Sequence, residues 1–202
     1  MVSSFHPLLI NKQTNPDIAV LMHNINDLSV LLHEKTYWNA NEHRSLLIDE
    51  DRSIKALIKQ LLPNSYNFAF EMKRKLLAMK KCFRCSKPNL NTFVEISKAN
   101  KITPVLMTQA SRFTETPDNI VMKNLQNLDA MDLSYSEYRE LYESMNEAIR
   151  TIASEKSVLL IDLAKEVPQT NEYLADPVHF NNKGSELVAE IITTKLASIV
   201  AE

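Results

Sequence analysis

Ile18-Ala19-Val20-Leu21-Met22 is a continuous apolar run, bounded by Asn15-Pro16-Asp17 on one side and Asn24 on the other. A run without polar alternation reads as a strand buried on both faces of a parallel sheet. Two more runs of this kind follow: Ile102 to Thr108 (I-T-P-V-L-M-T), and Val158 to Ile161 (V-L-L-I), which ends at Asp162. Apolar residues between and after them recur at helical steps. Leu90, Phe93, Val94 and Ile96 mark a helix over Asn89 to Ala99. Tyr138, Leu141, Tyr142, Met145, Ile149 and Ile152 form one stripe, and Leu187, Val188, Ile191, Ile192, Leu196 and Ile199 form another. Residues 49–81 read as two further helices separated by Pro63-Asn64-Ser65. Strands alternating with helices predict an α/β fold with a parallel sheet. With no repeat or linker, residues 1–202 form a single domain.

Composition removes several function classes. The only glycine is Gly184. Phosphate-cradling loops need several glycines, because backbone amides must approach the ligand with no side chain between. A Walker A loop and a dinucleotide fingerprint are therefore excluded. The formal net charge of -2 gives no electrostatic pull toward nucleic acid, and Lys73-Arg74 with Lys80-Lys81 reads as a solvated helix face. No apolar run reaches the roughly 18 residues that span a bilayer. Cys82 and Cys85 form one C-F-R-C pair without the second pair of ligands a structural zinc needs. His23, His33 and His43 fall ten apart, a spacing that fits no common ligand pattern.

In parallel sheets chemistry gathers beyond the carboxyl ends of the strands, so the long polar loops 24–45, 109–134 and 163–181 matter most. The last contains Asp176-Pro177-Val178-His179-Phe180, followed by Asn181-Asn182-Lys183-Gly184 and the final helix. A carboxylate three residues before a histidine can hold one imidazole nitrogen and leave the other to take a proton from a hydroxyl. The first loop opens with His23-Asn24-Ile25-Asn26-Asp27. An asparagine amide there can donate to an oxyanion, a contact worth about 3 kcal/mol of barrier. Trp38 reads equally as the lining of an acyl or sugar pocket or as cover for the core.

Together these segments resemble the SGNH, or GDSL, hydrolase family. I-A-V-L-M-H-N-I-N-D-L is similar to its third block, Gly-x-Asn-Asp after a buried strand. Y-L-A-D-P-V-H-F-N-N-K-G-S is similar to its fifth, Asp-x-x-His before the last helix. N-L-N-T-F-V-E-I-S-K-A-N-K-I-T-P-V-L-M-T-Q resembles the helix and fourth strand, and V-L-L-I-D-L-A the fifth strand. The resemblance runs from Pro16 onward. It implies a flavodoxin-like three-layer fold, a parallel sheet with helices on both faces. It also implies serine ester hydrolysis without a cofactor, with Asn26 as the oxyanion donor, His179 as the general base and Asp176 as its orienting carboxylate. Asn24 stands where the family has glycine, and is counted with Trp38 among the substrate-binding residues.

The family's nucleophile lies in a Gly-x-Ser turn after the first strand. Residues 1–17 contain no glycine, and their two serines, Ser3 and Ser4, have no strand before them. The expectation is therefore an amino-terminally truncated domain that lacks its first two strands and its nucleophile, and is inactive as the isolated chain. Ile18 to Met22 then becomes an open sheet edge, which aggregates or recruits a partner strand. Two alternatives to the truncated esterase stand: a non-catalytic acyl- or carbohydrate-binding relative, and a split-protein scaffold completed by a partner chain. The expected substrate is a small-molecule or carbohydrate ester, with nucleic acid and membrane excluded as partners of this chain. Met1 to Ile10 carries no secretory signal, which fits the cytoplasm, though a missing amino terminus is where a signal or anchor would lie.

Overall fold

A computed structural model describes residues 16–22, 87–125, 128 and 133–200 of the chain. Strand β1 is Ile18–Met22, helix α1 covers 87–99, and β2 is Thr103–Met107. Helix α2 is Asn119–Asn124, α3 is Tyr135–Lys156 and β3 is Leu159–Ile161. The four-residue α4, Leu163–Glu166, and α5, Asn182–Val200, complete the order. All three strands are parallel, in the order β1-β2-β3, with Val20 opposite Val105 and Val105 opposite Leu159. The α/β class read from the apolar runs is thus present in the described residues.

Pro104 in the middle strand shows how closely sequence and register agree. The Thr103 N–H donates to Asp17 O on the β1 side at 2.8 Å, and the Thr108 N–H to Ile161 O on the β3 side at 3.1 Å. Strand N–H groups alternate sides, so the one that proline lacks would point toward β3. The pairing with β3 begins only at Val105, and no ladder bond is lost.

Side chains alternate to two cores. Leu21, Leu106 and Leu160 pack with Leu90, Phe93 and Val94 of α1 and with Ala148, Ile149 and Ile152 of α3. Val105, Met107, Leu159 and Ile161 point the other way, against Leu187, Ile191 and Leu196 of α5. A third cluster, around Phe113, Tyr138, Tyr142 and Met145, joins the first half of α3 to the segment that follows β2. The Phe113 ring meets Tyr142 edge-on at 4.8 Å and Tyr138 at 5.5 Å.

The termini of α3 explain its length. Ser134 and Glu137 make a reciprocal capping box at the start. At the end Ser157 turns into the left-handed region, φ 50°, and its N–H returns to Ala153 and Ser154 carbonyls.

Two features differ from the sequence reading. The loops 109–134 and 163–181 contain the short helices α2 and α4. Six and four residues supply too few apolar positions to establish a period, and α2 buries only Val121. The other concerns β1, which among the described residues is not covered on both faces: Val20 is 41% and Met22 42% exposed. An apolar run shows that a strand suits the interior, but not whether another element packs over each of its faces. Among the described residues no helix is long and apolar enough to cross a membrane.

Candidate functional site

The loop between α4 and α5 is folded on itself before it meets anything else. Asn181 N–H donates to Tyr173 O at 3.0 Å and Ala175 N–H to His179 O at 2.8 Å, and Leu174 bridges Phe180 in antiparallel fashion. Asn181 then joins the loop to α5: its Oδ1 accepts the Gly184 N–H at 2.9 Å, while its Nδ2 donates to Asn171 and Glu172 carbonyls. An asparagine oxygen on the first free amides of a helix is the usual amino-terminal cap.

Apolar anchoring decides which side chains face out. Leu174 is buried in the core beneath α5, and Val178 in the cluster around Phe113. Asp176 and His179 lie between and beyond these anchors and remain partly and largely exposed, respectively. Asp176 Oδ1 accepts the N–H groups of Val178 and His179, both at 2.9 Å, and Oδ2 meets His179 Nδ1 at 2.7 Å. Burial alone pushes the Asp176 pKa up, but the Val178 and His179 amides and the imidazole outweigh it and hold the carboxyl below its ordinary value. The carboxylate stays ionised and oriented toward Nδ1. Among the described residues, Asp176 is the sole partner of the His179 ring; the side chain is 68% exposed.

The loop sits beyond the carboxyl end of β2, where the Arg112 N–H donates to Pro177 O at 2.8 Å. The Arg112 side chain is only 3% exposed. Its NH1 donates to Leu174 O at 3.2 Å and contacts Ala175 O, and its NH2 pairs with Asp118, the residue that caps α2. Asn146 of α3 holds the start of the same segment, exchanging two 3.1 Å bonds with the backbone N–H and C=O of Gln109. Sequence reasoning missed Arg112, Asn146 and their partners. Both bind backbone atoms, which leave no side-chain signature.

A second polar cluster closes the ends of β2 and β3. Thr108 Oγ1 donates to Asp162 Oδ1 at 2.8 Å and accepts the Ala164 N–H. Arg150 gives Asp162 two bonds, from Nε at 2.8 Å and from NH2 at 3.0 Å. Burial raises the Asp162 pKa, but the Arg150 and Thr108 hydrogen bonds outweigh it and the net shift is downward. Asp118 is lowered too, first by the Val121 amide. In the unfolded chain these carboxyls protonate at higher pH than in the native state. Their stabilisation is thus complete above the ordinary aspartate range and is lost as pH falls through the lowered native values. We expect the urea midpoint to be level near neutrality and to fall below about pH 4. Asp162→Asn should cost about 2 kcal/mol at neutral pH and flatten that acid slope; an unchanged slope would sink this assignment.

Of the residues singled out from the sequence, the structure brings Asp176 and His179 together. Asn24, Asn26, Trp38, Ser3, Ser4, Cys82, Cys85, His23, His33, His43, the basic pairs at 73–74 and 80–81 and the two helices within 49–81 lie outside the described residues. No protein-family model matches the chain, and no curated protein sequence matches it significantly.

Proposed function

We propose that this chain is the carboxy-terminal part of an SGNH-type serine ester hydrolase. On this reading the domain is flavodoxin-like, and the nucleophile lies outside the blocks of this chain that resemble the family. The observation that carries it is the Asp176–His179 pair, 2.7 Å apart on a loop beyond the carboxyl end of β2, with an exposed imidazole. Asp176 fixes the tautomer by accepting from Nδ1, which leaves Nε2 as the acceptor for a serine proton. The serine oxygen attacks the ester carbonyl as Nε2 removes its proton, and the carbonyl oxygen takes up the negative charge. The Asn26 amide serves as donor to that oxyanion. On collapse the imidazolium returns the proton to the departing alcohol, leaving an acyl-enzyme. Water, deprotonated by His179, then releases the acid. Asn24 and Trp38 are assigned to the substrate, a small-molecule or carbohydrate ester, and no cofactor takes part.

A fluorophosphonate probe tests this reading, because it labels only an activated serine. The 202-residue chain should remain unlabelled. The product of the full open reading frame should be labelled at a Gly-x-Ser serine preceding residue 1. Labelling of Ser3 or Ser4 overturns the assignment of the nucleophile, and an unlabelled full product overturns the esterase. A second reading, favoured by the position of β1 at the end of the described strand order β1-β2-β3, has a separately encoded amino-terminal half adding its strand beside β1. Labelling would then require mixing the two chains.

A further inference from the structure

We propose that Arg112 is the positioning residue of the Asp176–His179 pair, a role that rests on the hydrolase reading of that pair. Its bonds straddle Asp176 along the chain. The guanidinium holds the carbonyls of Leu174 and Ala175 just before it, and the Arg112 backbone N–H holds the Pro177 carbonyl just after it. A turn gripped on both sides has little freedom to rotate the intervening carboxylate. Only the planar guanidinium combines several donors at fixed angles in one side chain. Asp118 completes the clamp, with Oδ2 on Arg112 and Oδ1 on the amides of Ile120 and Val121, at 2.9 and 3.0 Å. The loop is thereby tied through one buried cation to the start of α2. Arg112 touches neither Asp176 nor His179 through its side chain, so its effect on them passes through the backbone.

The readout is the tautomer of His179, followed by ¹⁵N NMR on the labelled 202-residue chain at alkaline pH, where imidazoles are neutral. His179→Gln identifies the resonance among the five histidines. Free imidazole side chains favour the Nε2–H form, whereas a carboxylate held on Nδ1 favours Nδ1–H. Asp176→Asn sets the scale by lowering the Nδ1–H to Nε2–H ratio. Arg112→Met keeps the apolar stem and removes the donors, and it should lower the ratio by about fivefold, the equivalent of one net hydrogen bond. Arg112→Lys, able to reach Asp118 as a point charge, should fall between the two.

Loss of thermal stability in Arg112→Met with an unchanged ratio makes Arg112 a structural residue and overturns the proposal. If that variant fails to fold, Asp118→Asn at the exposed end of the clamp takes its place, and an unmoved ratio there is equally fatal. The hydrolase reading fails separately. If Asp176→Asn leaves the tautomer unmoved, the pair is not coupled and Arg112 has nothing to position. If Asp176→Asn shifts it and the Arg112 and Asp118 variants do not, only the clamp is lost.

Discussion

On the proposed hydrolase reading, His179→Ala is expected to lower kcat/KM for a simple ester by roughly 10⁵-fold, with KM little changed. The imidazole is asked to take a proton from serine and to return it to the leaving alcohol, and both transfers belong to the transition state. Losing it therefore costs rate and leaves ground-state binding alone. Asp176→Asn keeps the turn nearly isosteric but gives Nδ1 a neutral partner instead of a carboxylate. A fall of about 10⁴-fold is expected for it, because the imidazolium loses its counter-charge and the tautomer is no longer held. The two effects should not add, since each disables the same proton transfer. Steady-state hydrolysis of an aryl acetate measures all three variants. A loss below tenfold in His179→Ala would remove the general-base role and the mechanism with it.

Gly184→Ala is the substitution expected to damage the fold most for its size, costing about 3 kcal/mol, the upper end of over-packing effects. A Cβ built at this position collides with the Tyr173 carbonyl oxygen and lies 3.3 Å from the Phe180 Cβ. The same carbonyl accepts the Asn181 N–H that closes the site loop, and the Gly184 N–H is itself capped by Asn181. The methyl group meets backbone and not the end of a flexible side chain, so relief requires the loop and α5 to separate. Urea denaturation gives the cost directly. A stability within 0.5 kcal/mol of the parent, roughly the scatter of neutral surface substitutions, would contradict the close approach. The glycine is needed here for space, as its backbone shows no positive φ.

Much of the fold was legible because its elements are long or unmixed. The apolar run Ile18 to Met22 and the observed strand coincide, and the stripe from Tyr138 to Ile152 marked the buried side of α3. Boundaries moved where capping decides them. The capping box at Ser134 carries α3 a full turn ahead of its first buried residue, Tyr138. Helix α2 was illegible because Asp118 defines it more than any apolar pattern does. The site divided in the same way. Asp-x-x-His encodes its geometry within one turn, but that spacing is common, and the resemblance of the surrounding blocks is what made the pair a candidate. Arg112 acts on carbonyls about 60 residues further along the chain, and such pairings carry no local trace.

Helix α3 lays its first half in the cluster around Phe113, which also receives Val178 of the site loop, and its second half against the sheet. One continuous hydrogen-bonded rod therefore belongs to both cores. Neither can open by itself without breaking the helix in the middle, so the two share one cooperative unit of unfolding. Heat should not loosen the Asp176–His179 loop gradually ahead of the sheet: the loop and the sheet are expected to melt in a single event.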